Sequence, residues 1–192
     1  AEKGAVGLRV AAISLAEADT ETIENYATSL AALLSGLQVE LAVLPAYTAF
    51  LLWVRGSHLK ETWEFSQGFK LFMQEAREWN QYFLGLHSDL AQDNGVYLVA
   101  GTTIEEVNGC FYQTAYCFDP KGDVCGMQRQ THLNREERNL GLNRGEELCL
   151  MDLPGLKMGI IVGNDARHPE VGRILALEGA ALIAHTGALM GG

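Results

Sequence analysis

The chain has 192 residues, 48% of them apolar, which is enough for one domain over residues 1–192 with a sizeable core. A net charge of −10, with no local basic cluster, argues against nucleic acid or an anionic membrane surface as partner. No apolar run approaches the length that spans a bilayer, and the opening AEKGAVGLRV lacks the charged-then-apolar layout of a secretory signal.

These features predict a cytoplasmic protein. The opening residue is not Met, so either Met was removed or the chain was cut from something longer. Cys110, Cys117, Cys125 and Cys149 contain no Cys-x-x-Cys pair, which predicts reduced thiols rather than a disulfide framework or a zinc site.

Residues 8–15 (LRVAAISL) are apolar and short, as in a buried strand. Asp19 or Thr20 can cap the helix that follows, with Ile23, Tyr26, Ala27, Leu30, Leu33 and Leu34 on one face and Gly36 as its stop. Residues 39–44 form a second strand, ending at Pro45-Ala46-Tyr47. Strand, helix, strand favours parallel pairing through a crossover.

Residues 49–66, with Trp53 and Trp63, read as a loop with a short helix. Helical spacing returns at Phe69 and runs through Phe72, Met73, Ala76 and Phe83 to Leu90, with Asn94-Gly95 as the end; Gly85 weakens the case for one unbroken helix. Strands are predicted at 96–101 and 111–118, the second turning at Asp119-Pro120-Lys121-Gly122 into a hairpin partner at 124–129.

The polar stretch 130–145 reads as a loop with at most a helical turn. A second hairpin, 147–153 with 156–162, bends at Pro154-Gly155. Then comes GIIVGNDARHPE, residues 159–170: the end of a strand, a tight turn at Gly163-Asn164-Asp165, and a helix opened by Pro169 and Glu170. Many α/β enzymes mount a nucleophile at such an elbow, against free backbone N–H groups. Here the elbow carries Gly163. A helix over 169–179 and a strand over 181–184, ending at His185, complete a mixed α/β pattern with helices outside two packed sheets.

Four blocks in this order, LAVLPAYTAF (41–50), QRQTHL (128–133), the loop ending NRGEEL (143–148) and GIIVGNDARHPEVGRILALEGAALIAH (159–185), resemble the carbon–nitrogen hydrolase (nitrilase) superfamily. The resemblance implies an αββα four-layer sandwich of two mixed sheets with helices outside. It also implies a Glu base, a Lys that stabilises the tetrahedral intermediate, and a Cys nucleophile. A thiol needs a base to become thiolate, the oxyanion needs a cation and backbone donors, and the acyl-enzyme needs an activated water.

Carried over by position, the Glu falls on Ala46, the Lys on Gln130 and the Cys on Gly163, so no catalytic residue is intact. Glu137 matches a second family Glu that positions the Lys. Pro45, His132, Leu133, Gly145, Gly159, Asp165, Arg167, Pro169 and Glu170 keep the scaffold pattern, while Asn164 stands where an aromatic usually flanks the Cys. Tyr47, His132, Asn164, Asp165, Arg167 and His185 are the binding candidates for a small amide, acid or nitrile-like ligand.

Each candidate also has a plainer reading. Asp165 accepts turn N–H groups, His168 flanks the helix, Arg167 pairs with Glu170 or Glu178, and His185 is a satisfied polar residue. Asp165 and His168 have the spacing of a metal pair, but no metal or other cofactor is expected. Family members run beyond the last matched strand, so the C-terminal part of the sandwich is expected to be missing. A homodimer, or a partner covering the gap, is the corresponding expectation. Three functional readings follow: a non-catalytic binding or scaffold protein, an active hydrolase of C–N bonds working through Glu137, His132 or Asp165 with or without a metal, or a fragment of a larger product.

Overall fold

The computed structural model describes residues 7–15, 21–56 and 64–187. Strand β1 (Val10–Ala12) and β2 (Leu41–Val43) pair in parallel across helix α1 (Ile23–Leu37), as the strand–helix–strand pattern requires. The Thr22 hydroxyl caps α1 by accepting from the Asn25 N–H at 3.0 Å. Asp19 and Thr20 lie outside the described residues. The helix runs past Gly36 and stops at Gln38, which takes the left-handed conformation (φ 50°).

Helix α2 (Thr48–Gly56) is the short helix expected in the stretch 49–66, of which 57–63, Trp63 included, lie outside the described residues. The single helix expected from Phe69 is two helices, α3 (Phe65–Gln74) and α4 (Ala76–Asn94). The break is at Glu75 (φ −100°, ψ 3°), not at Gly85, and the Glu75 carboxylate accepts from Trp53 Nε1 at 2.8 Å. The break swings Phe69 and Phe72 onto Phe50 of α2, while Phe83 and Leu90 of α4 join the same core. Helical periodicity is blind to a one-residue break that only a tertiary partner stabilises.

Strand β3 (Tyr97–Val107) is longer than predicted. It turns at Asn108-Gly109, both at positive φ (53° and 79°), into β4 (Cys110–Phe118). Asn-Gly between two strands is the usual two-residue hairpin loop, because its left-handed backbone matches the strand twist. Strand β5 (Val124–Arg129) pairs antiparallel with β4 as predicted. In the stretch 130–145, read as a loop with at most a helical turn, the structure has the six-residue helix α5 (Arg135–Leu140) and the two-residue β6 (Leu142–Asn143), parallel to β4. The first sheet is ordered β1-β2-β3-β4-β5, with β6 on β4.

The second sheet contains β7 (Leu150–Leu153), β8 (Leu156–Val162) and β9 (Leu182–Thr186), ordered β7-β8-β9. Helix α6 (Pro169–Leu177) crosses from β8 to its parallel neighbour β9. The two sheets meet through Leu41, Val43, Val99, Ala115 and Cys117 on one side and Met151, Met158, Ile160, Val162 and Ala184 on the other. Helices α1 to α4 cover the outer face of the first sheet, and Val171 and Leu175 of α6 cover the second against Ile161. The result is a four-layer αββα sandwich. Ile174 and Leu177 of α6 and Ile183 of β9 stand exposed, Leu177 at 75%. Among the described residues no helix is long and apolar enough to cross a membrane.

Candidate functional site

The ends of β2, β5, β8 and β9 converge on the predicted elbow. Strand β8 runs out at Val162 into a 3-10 turn, Gly163–Arg167. His168 follows in an extended conformation, as a residue before proline must, and Pro169 starts α6. Gly163 has φ +50°, the left-handed backbone that a strand–turn–helix junction demands. Its carbonyl accepts from His185 Nε2 at 3.2 Å.

Gln130, just past β5, is fully buried beneath this elbow. Its Nε2 donates to Glu137 Oε2 at 2.8 Å and to the His132 carbonyl at 3.0 Å. Both amide hydrogens are thereby used, and Oε1 must point the other way. That oxygen is buried with no hydrogen-bond partner among the described residues, and it lies 3.2 Å from where a Cβ on Gly163 would stand.

Glu137 is 3% exposed and belongs to a capping box. The Asn134 side chain accepts the Glu137 N–H at 2.9 Å, and Glu137 Oε2 accepts the Asn134 N–H at 2.7 Å. Its other oxygen accepts from the Tyr47 hydroxyl at 3.2 Å. Burial, then the Glu137 charge, pushes the Tyr47 phenol above its ordinary range, so it is a fixed donor. Tyr47 is itself at φ +61°, and its N–H donates to Thr102 Oγ1 at 2.7 Å. Beside it, Ala46 is buried, and its N–H donates to the Gly187 carbonyl at 3.2 Å.

Asp165 has no exposed surface. Contrary to the turn reading, its carboxylate takes donors from another segment: the Thr131 N–H at 3.1 Å, the Thr131 hydroxyl at 2.9 Å and the His132 N–H at 2.6 Å. Asp165 therefore clips the post-β5 segment to the elbow. Asn164 Nδ2 adds a bond to the His132 carbonyl at 3.1 Å.

The expected pairing of Arg167 with Glu170 or Glu178 is absent among the described residues. Arg167 is exposed, and Glu170 instead faces His168, with 3.7 Å between Oε1 and Nδ1. His168 makes no side-chain cap and stacks on His132 with ring centroids 4.0 Å apart. The four cysteines are free, and none lies in this network. A cleft of about 370 Å³ bordered by Tyr112, Arg129, Arg144 and Cys149 includes neither Gln130 nor Gly163.

The structure thus brings Tyr47, Gln130, His132, Glu137, Gly163, Asn164, Asp165 and His185 into one network, beside Ala46, and leaves Arg167 at the surface. Thr102, Thr131 and Asn134 escaped the sequence reading. The Asn134-x-x-Glu137 spacing is a recognisable capping signature, whereas nothing local marks Thr102 or Thr131.

A family model described as carbon-nitrogen hydrolase matches residues 6–191. Among curated proteins, the chain is 30% identical over 138 residues to omega-amidase NIT2-B of Xenopus laevis, covering 68% of this chain and 50% of that protein. It is 37% identical over 97 residues to a nitrilase of Pyrococcus abyssi, covering 50% of this chain and 36% of that one. The chain therefore spans half or less of the length of these relatives. Among solved structures, an amidase from Nesterenkonia sp. superposes with a TM-score of 0.74 at 20% identity, over 96% of this chain and 66% of that one. A carbon-nitrogen hydrolase from Helicobacter pylori G27 superposes with a TM-score of 0.74 at 22% identity, over 95% of this chain and 60% of that one. With the fold, the elbow and the buried Glu137 network all in place, the chain belongs to the carbon–nitrogen hydrolase family.

Proposed function

We propose that this domain is a non-catalytic member of its family that binds a small amide at the elbow. The observation that carries this reading is the orientation of the Gln130 carboxamide. Where the family resemblance calls for a cation, the chain presents a buried acceptor, Oε1, aimed at Gly163 and without a partner among the described residues. An orphaned buried acceptor costs about 1–3 kcal/mol, and a ligand N–H would recover part of that. A primary amide or an ammonium offers such a donor; a carboxylate or a nitrile does not.

The chemistry that would consume the amide lacks its atoms. Gly163 offers no thiolate, Ala46 no base and Gln130 no cation. Loss of a nucleophile alone costs on the order of 10⁶ in turnover. Rescue through Glu137 or Asp165 is disfavoured because both carboxylates are already occupied by donors from neighbouring segments. The exposed apolar side chains on α6 and β9 support pairing with a second copy or with another protein.

The test combines binding and turnover. Acetamide, acetate and acetonitrile are titrated against the protein by NMR, and ammonia release from amides, nitriles and N-carbamoyl compounds is followed with and without added metal. Expected are selective binding of acetamide, its loss in Gln130→Leu, and no ammonia. The triple variant Ala46→Glu, Gln130→Lys, Gly163→Cys should gain turnover. Ammonia release, or a trapped acyl-enzyme, in the unaltered protein at rates like those of active relatives would overturn the reading.

A further inference from the structure

Beside the elbow, His132, His168 and Glu170 each offer one ligand atom, all within 4.8 Å of one another. We infer that these three side chains form a divalent transition-metal site, with zinc as its best occupant. The inference is independent of the amide-binding reading, because it uses none of the atoms facing Gln130 Oε1.

The first support is the way His132 is held. Thr131 Oγ1 donates to Asp165 Oδ1 at 2.9 Å, so the hydroxyl's one proton is spent there. Its lone pairs then face His132 Nδ1 at 2.9 Å, and Asp165 Oδ1 faces the same nitrogen at 3.3 Å. Two acceptors on one side of the ring require Nδ1 to carry the proton. In the neutral ring the lone pair is then on Nε2. A carboxylate behind one imidazole nitrogen, with the other available, is the usual support behind a metal-binding histidine.

The second support is the geometry of the other two groups. His168 lies against His132 with ring centroids 4.0 Å apart and planes 21° from parallel, and its Nδ1 is 3.7 Å from Glu170 Oε1. Ligand atoms on a tetrahedral zinc with bonds of ~2.0–2.1 Å lie ~3.3 Å apart. The present spread closes to that value by moving each group about an ångström, together with a turn of the partly exposed His168 ring out of the stack, so that both in-plane lone pairs meet at the metal. Glu170 can do so easily, with 60% of its side chain exposed. Two imidazoles and one carboxylate leave a position open to water, since His132 and His168 are exposed by 36% and 35%. The nitrogen donors favour zinc, nickel or copper over magnesium or calcium.

The test titrates chelator-stripped protein with zinc chloride by calorimetry, with magnesium chloride as control. Long-range ¹H–¹⁵N spectra of the histidine rings provide the second readout. One zinc equivalent should bind, shifting His132 Nε2 while Nδ1–H persists, and magnesium should give nothing. His168→Ala or Glu170→Gln, both at partly exposed positions, should each weaken zinc by tenfold or more, with circular dichroism unchanged. The inference is overturned if zinc shows no saturable single equivalent. It is equally overturned if zinc binds as tightly to both variants as to the parent, which would send the metal to the cysteines, or if the His132 ring stays unshifted.

Discussion

Gly163→Ala probes whether the elbow and the Gln130 amide are fitted to each other. A non-glycine residue at φ +50° costs about 1–2 kcal/mol in backbone strain alone. Gly95 provides the reference: its φ is +62°, and an added Cβ there meets nothing within 4 Å among the described residues. At Gly163 the new Cβ would lie 3.2 Å from Gln130 Oε1 and 3.5 Å from Cδ and Nε2. The amide cannot retreat, because Nε2 is held by Glu137 at 2.8 Å and by the His132 carbonyl at 3.0 Å. Overpacking of this kind adds about 1 kcal/mol. Gly163→Ala should therefore cost roughly 2–3 kcal/mol against 1–2 for Gly95→Ala. For a domain of this size that lowers Tm by roughly 4–12 °C.

Urea unfolding of Gly163→Ala, Gln130→Ala and the double variant closes the cycle. The pair should show a favourable coupling of about 0.5–1 kcal/mol, because removing the amide removes the collision. Equal costs for the two glycine variants, or strict additivity in the cycle, would refute the argument. The same contact bears on chemistry: a Cys placed at 163 brings the same Cβ, so Gly163→Cys should be tolerated better together with a change at Gln130.

His87 is fully buried, accepts the Tyr26 hydroxyl at Nε2 (2.8 Å) and donates from Nδ1 to the Phe83 carbonyl (2.8 Å). Burial lowers its pKa from 6.5 to about 4. The unfolded chain then binds the extra proton first, so this contribution is intact above pH 6.5 and is lost as pH falls toward 4, by about 3 kcal/mol in total. Unfolding free energies from urea titrations between pH 7 and pH 4 should fall by that amount in the parent and less steeply in His87→Gln. Asn134→Ala removes the α5 cap and should cost about 1 kcal/mol by urea unfolding. Glu137→Leu strands the Gln130, Tyr47 and Asn134 donors and should cost about 3 kcal/mol or more in the same assay, while Glu137→Gln, which keeps one acceptor oxygen, should cost about 1.

Much of this protein was legible from its residues alone, wherever the physics is local. The turn at Pro154-Gly155, the proline opening α6 and the apolar run of β8 each follow from backbone preferences or burial patterns that neighbours in sequence decide. The residues at the three positions that the resemblance assigns to catalysis, Ala46, Gln130 and Gly163, were equally plain, because the blocks around them define those positions. Tertiary structure decided what those positions became. Which way the Gln130 amide points depends on Glu137 and the His132 carbonyl, and Glu137 depends on Tyr47 from another strand's end. Asp165 clips a segment more than thirty residues away instead of closing its own turn. The break at Glu75 rests on Trp53, and the facing of His132 on His168 rests on the elbow that joins them. Hydrogen bonds between distant segments have no period and no signature in sequence. They form only when packing of the two sheets brings their partners within about 3 Å.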